Sequence, residues 1–149
     1  MNIGIVISEY NKEIANNLLD GATDCYKNNF KTQSINDCLD IYRVPGAFEI
    51  PSTVNKILKS KKYEAIVTLG CVIKGETAHF EYISSSVINA LSQISLNSDI
   101  PIALGILTCY NYEQALLRAT SRDQGGLDKG GEVMKALLQT IEAWDSITK

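Results

Sequence analysis

The sequence has little of what marks several large protein classes. It holds a single histidine, and its four cysteines, Cys25, Cys38, Cys71 and Cys109, make no C-x-x-C pair. That scarcity argues against a Cys/His metal site and against a disulfide framework. Reduced, mostly buried thiols in the cytoplasm are the reading such scattered cysteines support. No apolar run approaches the ~20 residues that a membrane-spanning helix requires. An excess of one charge is also missing: 14 basic against 17 acidic residues leave a dispersed net charge of −3. With no basic stripe to follow a phosphate backbone, nucleic acid is not an expected partner. Internal repeats and low-complexity tracts are absent, and only three prolines punctuate the chain.

What is present describes one globular domain over residues 1–149. Hydrophobic residues make up 45% of the chain and charged residues 21%, a balance that suits a single buried core with a solvated surface. The first residues run straight into Ile3-Gly4-Ile5-Val6-Ile7, which reads as a buried strand and not as a signal peptide.

Strand-like and helix-like segments then alternate. Ile3 to Ser8 is a short apolar run. Asn11 stands where it can cap a helix with Ile14, Leu18, Ala22 and Cys25 at helical spacing. A weaker strand is expected around Cys38 to Val44, followed by a short helix with Ile50, Val54, Ile57 and Leu58 on one face. Ala65 to Ile73 is apolar almost throughout, as in a strand buried on both sides. A long helix with Ile83, Val87, Ala90, Leu91 and Ile94 follows, then a strand over Ile102 to Leu107. Tyr112 to Ala119 and Glu132 to about Ile147 read as the last two helices. The order βαβαβαβαα predicts an α/β fold, a three-layer sandwich around a four-stranded parallel sheet resembling flavodoxin. In such folds ligands sit beyond the C-terminal ends of the strands.

The residues just after each strand carry chemistry. Tyr10 follows the first strand and suits either stacking on a planar ring or packing. Pro45-Gly46-Ala47-Phe48-Glu49 follows the second. Pro45 and Gly46 make a tight turn, and Ala47 lets backbone approach a ligand. Phe48 fits a core position equally well. Glu49 fits either compensation of a helix dipole or a ligand contact. Lys74-Gly75-Glu76-Thr77-Ala78-His79 follows the third strand. Its glycine and lysine are in the wrong order for a Walker motif. The helix that begins there offers N–H groups and a dipole that favour phosphate. The same dipole disfavours an imidazolium, so His79 is expected as a neutral imidazole able to exchange protons near pH 7. Arg118 and Lys129 read simply as solvated charges.

Four blocks of the chain resemble the lumazine synthases: Gly4 to Asn11, Val44-Pro45-Gly46-Ala47-Phe48-Glu49 continuing to Pro51, Gly70 to Tyr82 with Gly75-Glu76-Thr77-Ala78-His79-Phe80 at its centre, and Pro101 to Thr108 running into Glu113-Gln114-Ala115. The resemblance spans nearly the whole chain. It implies an enzyme that joins 5-amino-6-ribitylaminouracil to 3,4-dihydroxy-2-butanone 4-phosphate, releasing phosphate and water without a metal or redox cofactor. Carried over by position, His79 is the general acid/base and Tyr10 stacks on the pyrimidine. Ala47, Phe48 and Glu49 hold the pyrimidine and ribityl chain, and the backbone of Cys71, Val72 and Ile73 binds the uracil edge. Glu76 and Thr77 hold the phosphate with Arg118 as its main cation, and Lys129 stands near it. Leu104 occupies a place where many members have a phenylalanine against the heterocycle.

The resemblance also implies a homo-oligomer with active sites between subunits of a ring. A pentamer or a paired decamer is expected, and not a sixty-subunit shell. Two features motivate that choice: the loop Thr120 to Lys129 is longer than in shell-forming members, and no N-terminal extension is seen. An archaeal-type riboflavin synthase and a non-catalytic flavin-binding module are the competing readings. The second would need a Ser/Thr/Gly-rich phosphate loop where Glu9-Tyr10-Asn11 stands.

Overall fold

A computed structural model describes residues 1–32 and 38–147. The three apolar runs and the weaker, mixed segment between the first two form four strands: β1 (Ile3–Ser8), β2 (Leu39–Val44), β3 (Ala65–Ile73) and β4 (Ile102–Cys109). Between and after them lie helices α1 (Lys12–Phe30), α2 (Ile50–Leu58), α3 (His79–Leu96), α4 (Tyr112–Ala119) and α5 (Lys129–Ile147). The sheet is parallel throughout, in the order β2-β1-β3-β4. This is the expected α/β sandwich. No helix among the described residues is long and apolar enough to cross a membrane.

The pleat explains the two cores. Successive side chains of a strand point to opposite faces, so Ile3, Ile5 and Ile7 of β1 join Ala65, Val67 and Leu69 of β3 under α1, α4 and α5. Val6 and Ile66 point the other way and pack with Ile50, Val54, Val87 and Leu91 of α2 and α3. Helices α1 and α5 meet closely because α5 carries glycine at the contact. A Cβ at Gly130 would lie 2.0 Å from the carbonyl oxygen of Leu18, so no other residue fits without separating the helices.

Three local expectations are revised. Asn11 stands at the start of α1 but with φ 60, and its side chain makes no capping bond. Its carbonyl accepts from Ala15 N–H at 3.0 Å instead. β4 runs two residues beyond Leu107, because it pairs with β3 as far as Ile73↔Cys109. α5 begins at Lys129, where Asp128 accepts the Gly131 N–H at 3.0 Å and so supplies a helix-start partner that the apolar pattern does not reveal. The loop before it is folded back on itself. Leu127 N–H donates to Leu117 O and Asp128 N–H to Thr120 O, both at 2.9 Å.

Candidate active site

The crossovers from β1 run to β2 through α1 on one face, and from β2 to β3 through α2 on the other. The crevice at such a reversal is where an open parallel sheet binds its ligand, and here it lies between β1 and β3. β3 pairs with β1 only up to Ile7↔Leu69, yet pairs with β4 up to Ile73↔Cys109. The strand therefore runs four residues past its pairing with β1. On the β1 side, Gly70 to Ile73 lie beyond the paired register, and backbone N–H and C=O groups that leave a ladder seek other partners.

A cleft of about 570 Å³ opens over this overshoot, lined by Tyr10, Gly46, Ala47, Phe48, Glu49, Cys71, Val72, Ile73, Gly75, Thr77, His79, Phe80 and Ile83. Its residues arrive from three strand ends. Tyr10 follows β1 and is 74% exposed, and Phe48 is 60% exposed. Two large aromatic faces thus stand in solvent, where packing gives them no reason to be. Phe48 is not the core residue that its type allowed.

Glu49 is held by a local device. Ala47–Glu49 form a single 3-10 turn leading into α2, and Glu49 Oε2 accepts the Gly46 N–H at 2.9 Å. One carboxylate oxygen thus shapes the turn, and the other makes no part of that bond. The Ser52 and Thr53 hydroxyls donate to the Glu49 carbonyl at 3.1 and 2.8 Å, fixing the turn against the helix.

The Cys71 thiol is no reagent here. Burial pushes it up to about 12, so it stays protonated. Residues 75–79 are all exposed. Ala78 precedes α3, and Thr77 Oγ1 lies 3.4 Å from the His79 N–H, at the limit of a hydrogen bond. His79 is the first residue of α3. Four residues on, Ile83 lines the same cleft, as the i, i+4 face of a helix requires. Ile83 was legible in the sequence only as a member of a helix face, and its spacing from His79 was the signal; Phe80 stood there as the last residue of the Gly75–Phe80 block.

The remaining expected site residues are not in this cleft. Glu76 lies in the loop between the lining residues Gly75 and Thr77. Leu104, 47% exposed, and Lys129 share a separate cleft of about 450 Å³ along the β4 edge with Glu132 and Val133. Lys129 Nζ pairs with Glu132 Oε2 at 2.5 Å. Arg118 is half-buried on α4, and its Nη1 donates to Gln114 O at 3.0 Å. A single chain therefore presents the aromatic, carboxylate and imidazole groups in one cleft, while Leu104 and Lys129 line another and Arg118 lines neither.

A family model described as 6,7-dimethyl-8-ribityllumazine synthase matches residues 1–144, a span that contains both clefts.

Proposed function

We propose, for a chain that belongs to the 6,7-dimethyl-8-ribityllumazine synthase family, that the active site is completed across a subunit boundary. The family's reaction condenses 5-amino-6-(D-ribitylamino)uracil with 3,4-dihydroxy-2-butanone 4-phosphate to give the lumazine, phosphate and water, a step of riboflavin biosynthesis. Nothing in the match or the cleft points to a riboflavin synthase or a flavin carrier.

The observation that carries the proposal is the overshoot of β3. Its backbone groups beyond the paired register suit the donor and acceptor edge of a uracil. Tyr10 and Phe48 offer ring faces for the heterocycle, and the Glu49 oxygen not bonded to Gly46 accepts from a ribityl hydroxyl. Glu76 and Thr77, ahead of α3, take the phosphate. His79, two residues beyond Thr77, exchanges the protons as the amine attacks the ketone, the imine forms, phosphate leaves and the ring closes. General acid/base groups of this kind supply ~10²–10⁴-fold. Holding two substrates together adds to this.

The phosphate still needs a cation, and Arg118, Lys129 and Leu104 of the same chain lie elsewhere. A neighbouring subunit bringing its β4 edge and α4 to this cleft would supply them. α3 supports such a neighbour. Only Ser84, Val87 and Leu91 of its eighteen residues are buried, and Glu81 is its one acidic residue beside His79, with no lysine or arginine. Tyr82 and Leu96 on it are 75% and 77% exposed. An exposed helix with so little charge suits coverage by another copy. We assign a pentamer, or a decamer of two, and a cytoplasmic setting in which Cys25, Cys38, Cys71 and Cys109 stay unbonded.

Two measurements test this. Light scattering should give about five or ten times 16.4 kDa; a monomer or a particle near one megadalton defeats the assignment. Coexpressed His79→Ala and Arg118→Ala chains, each strongly impaired alone, should recover up to about a quarter of wild-type activity, since random mixing leaves that share of boundaries intact. No recovery would place both residues in one subunit's site.

A further inference from the structure

Gly75 to Ala78 join the end of β3 to the start of α3, and all four are exposed. Little inside this loop fixes its shape. A Cβ at Gly75 would meet nothing within 4 Å, and the contact from Thr77 Oγ1 to the His79 N–H is long at 3.4 Å. Its two ends, however, are tied. The Lys74 N–H donates to Cys109 O at 2.9 Å, anchoring one end to β4. Lys74 Nζ then reaches across the loop to Glu81 Oε1 at 3.3 Å, in the first turn of α3. The same ammonium stands 5.8 Å from the centre of the Tyr110 ring, and Tyr110 contacts Phe80 at 6.3 Å between ring centroids.

The position of Lys74 is electrostatically odd. A helix N-terminus repels a cation, so an ammonium beside the first turn of α3 needs something else to hold it. Glu81, placed where the dipole favours an anion, and the Tyr110 ring face provide that. Both charged groups are about half exposed, so the pair contributes little to global stability. Its effect falls on the loop that it spans.

We propose that Lys74 and Glu81 are positioning residues that clamp the Gly75–Ala78 loop, holding Thr77 and His79 in register for the phosphorylated substrate. This rests on reading that loop as the phosphate-binding segment. Neither side chain touches substrate, and each acts through the other. Loosening the clamp lets the donors of residues 76 and 77 wander, and a misplaced donor weakens binding of the phosphate before it affects the uracil.

The test uses the assembled enzyme with Lys74→Met, which keeps the stem over Tyr110, with Glu81→Gln, with both together, and with the exchanged pair Lys74→Glu/Glu81→Lys. Each single change should raise KM for the butanone phosphate about fivefold, and the double change should cost no more than one single, because a shared interaction is lost once. The exchanged pair should return to within about twofold of wild type. Affinity for the ribitylaminouracil and the melting temperature should hold. A loss in Lys74→Met with none in Glu81→Gln would make Lys74 a direct phosphate ligand and overturn the clamp. Neutral single variants overturn it as well, leaving the phosphate reading intact. A coupled loss that falls on the uracil instead overturns the phosphate reading of the loop, and this role with it.

Discussion

Tyr63 and His79 sit at opposite ends of one sheet and are treated in opposite ways. Tyr63, at the N-terminal end of β3, is 7% exposed and packs its ring over Gly4. Its hydroxyl donates to Asp40 Oδ2 at 2.6 Å and accepts from Tyr42 at 2.5 Å, while Lys62 Nζ closes on the same carboxylate at 2.5 Å. Burial, then the bond to Asp40, pushes the Tyr63 phenol far above the tyrosine range. Bonds from Lys62 and Tyr63 hold the Asp40 carboxyl below its usual range. Every polar group there answers another. At the C-terminal end the reverse holds: Tyr10 and Phe48 show their faces to solvent, Glu49 spends one oxygen on its own turn, and His79 is exposed. Polar groups that satisfy one another stabilise a fold, whereas groups left open are available to a ligand.

Substitutions at the two ends should separate turnover from stability. The largest effect is expected for His79→Ala, with turnover lower by about a hundredfold and an unchanged melting curve. Lumazine formation followed by absorbance, with circular dichroism on the same sample, checks it. Full turnover in a folded variant would remove His79 from the chemistry.

Glu49→Gln should weaken binding of the ribityl substrate about tenfold, by ~1–2 kcal/mol. The amide oxygen keeps the bond to Gly46, but a donor then faces the ribityl hydroxyls where an acceptor stood. Titration calorimetry reads this directly. Equal losses for both substrates would assign the effect to a collapsed turn.

Tyr63→Phe is the smallest change and sharpens the comparison from the other side. It removes the hydroxyl at the centre of the network, so about 1 kcal/mol of stability and a few degrees in melting temperature should be lost. Turnover should stay within about twofold of wild type. A variant that melts normally but works poorly would show that the two ends are coupled.

Much of this division was legible in the residues. The apolar runs of β1, β3 and β4 are local signals of buried strands, β2 a weaker one, and the helices between them dictate parallel pairing. Once that order is read, the motifs after the strands must gather at one end. Tyr10, Ala47, Phe48, Glu49, Thr77 and His79 do gather there. Two local readings fared differently. Asn11 has a capping side chain by type, but it stands at φ 60 and makes no side-chain capping bond. Glu49 looked like a choice between a helix-start residue and a ligand contact, because the two oxygens of one carboxylate cannot be told apart until a geometry assigns one of them to Gly46.

The sequence by itself determined the α/β order, the end of the sheet where the motif residues gather and the family's chemistry, because apolar periodicity and contiguous motifs are properties of short stretches of chain. Only the tertiary structure decided that β3 runs four residues past its pairing with β1, that Lys74 meets Glu81 across the loop, and that Leu104 and Lys129 lie in a different cleft from His79. Each of these depends on strand register or on contacts between residues distant in the chain. A one-residue change of register would alter which backbone groups lie beyond the pairing while leaving every motif in place.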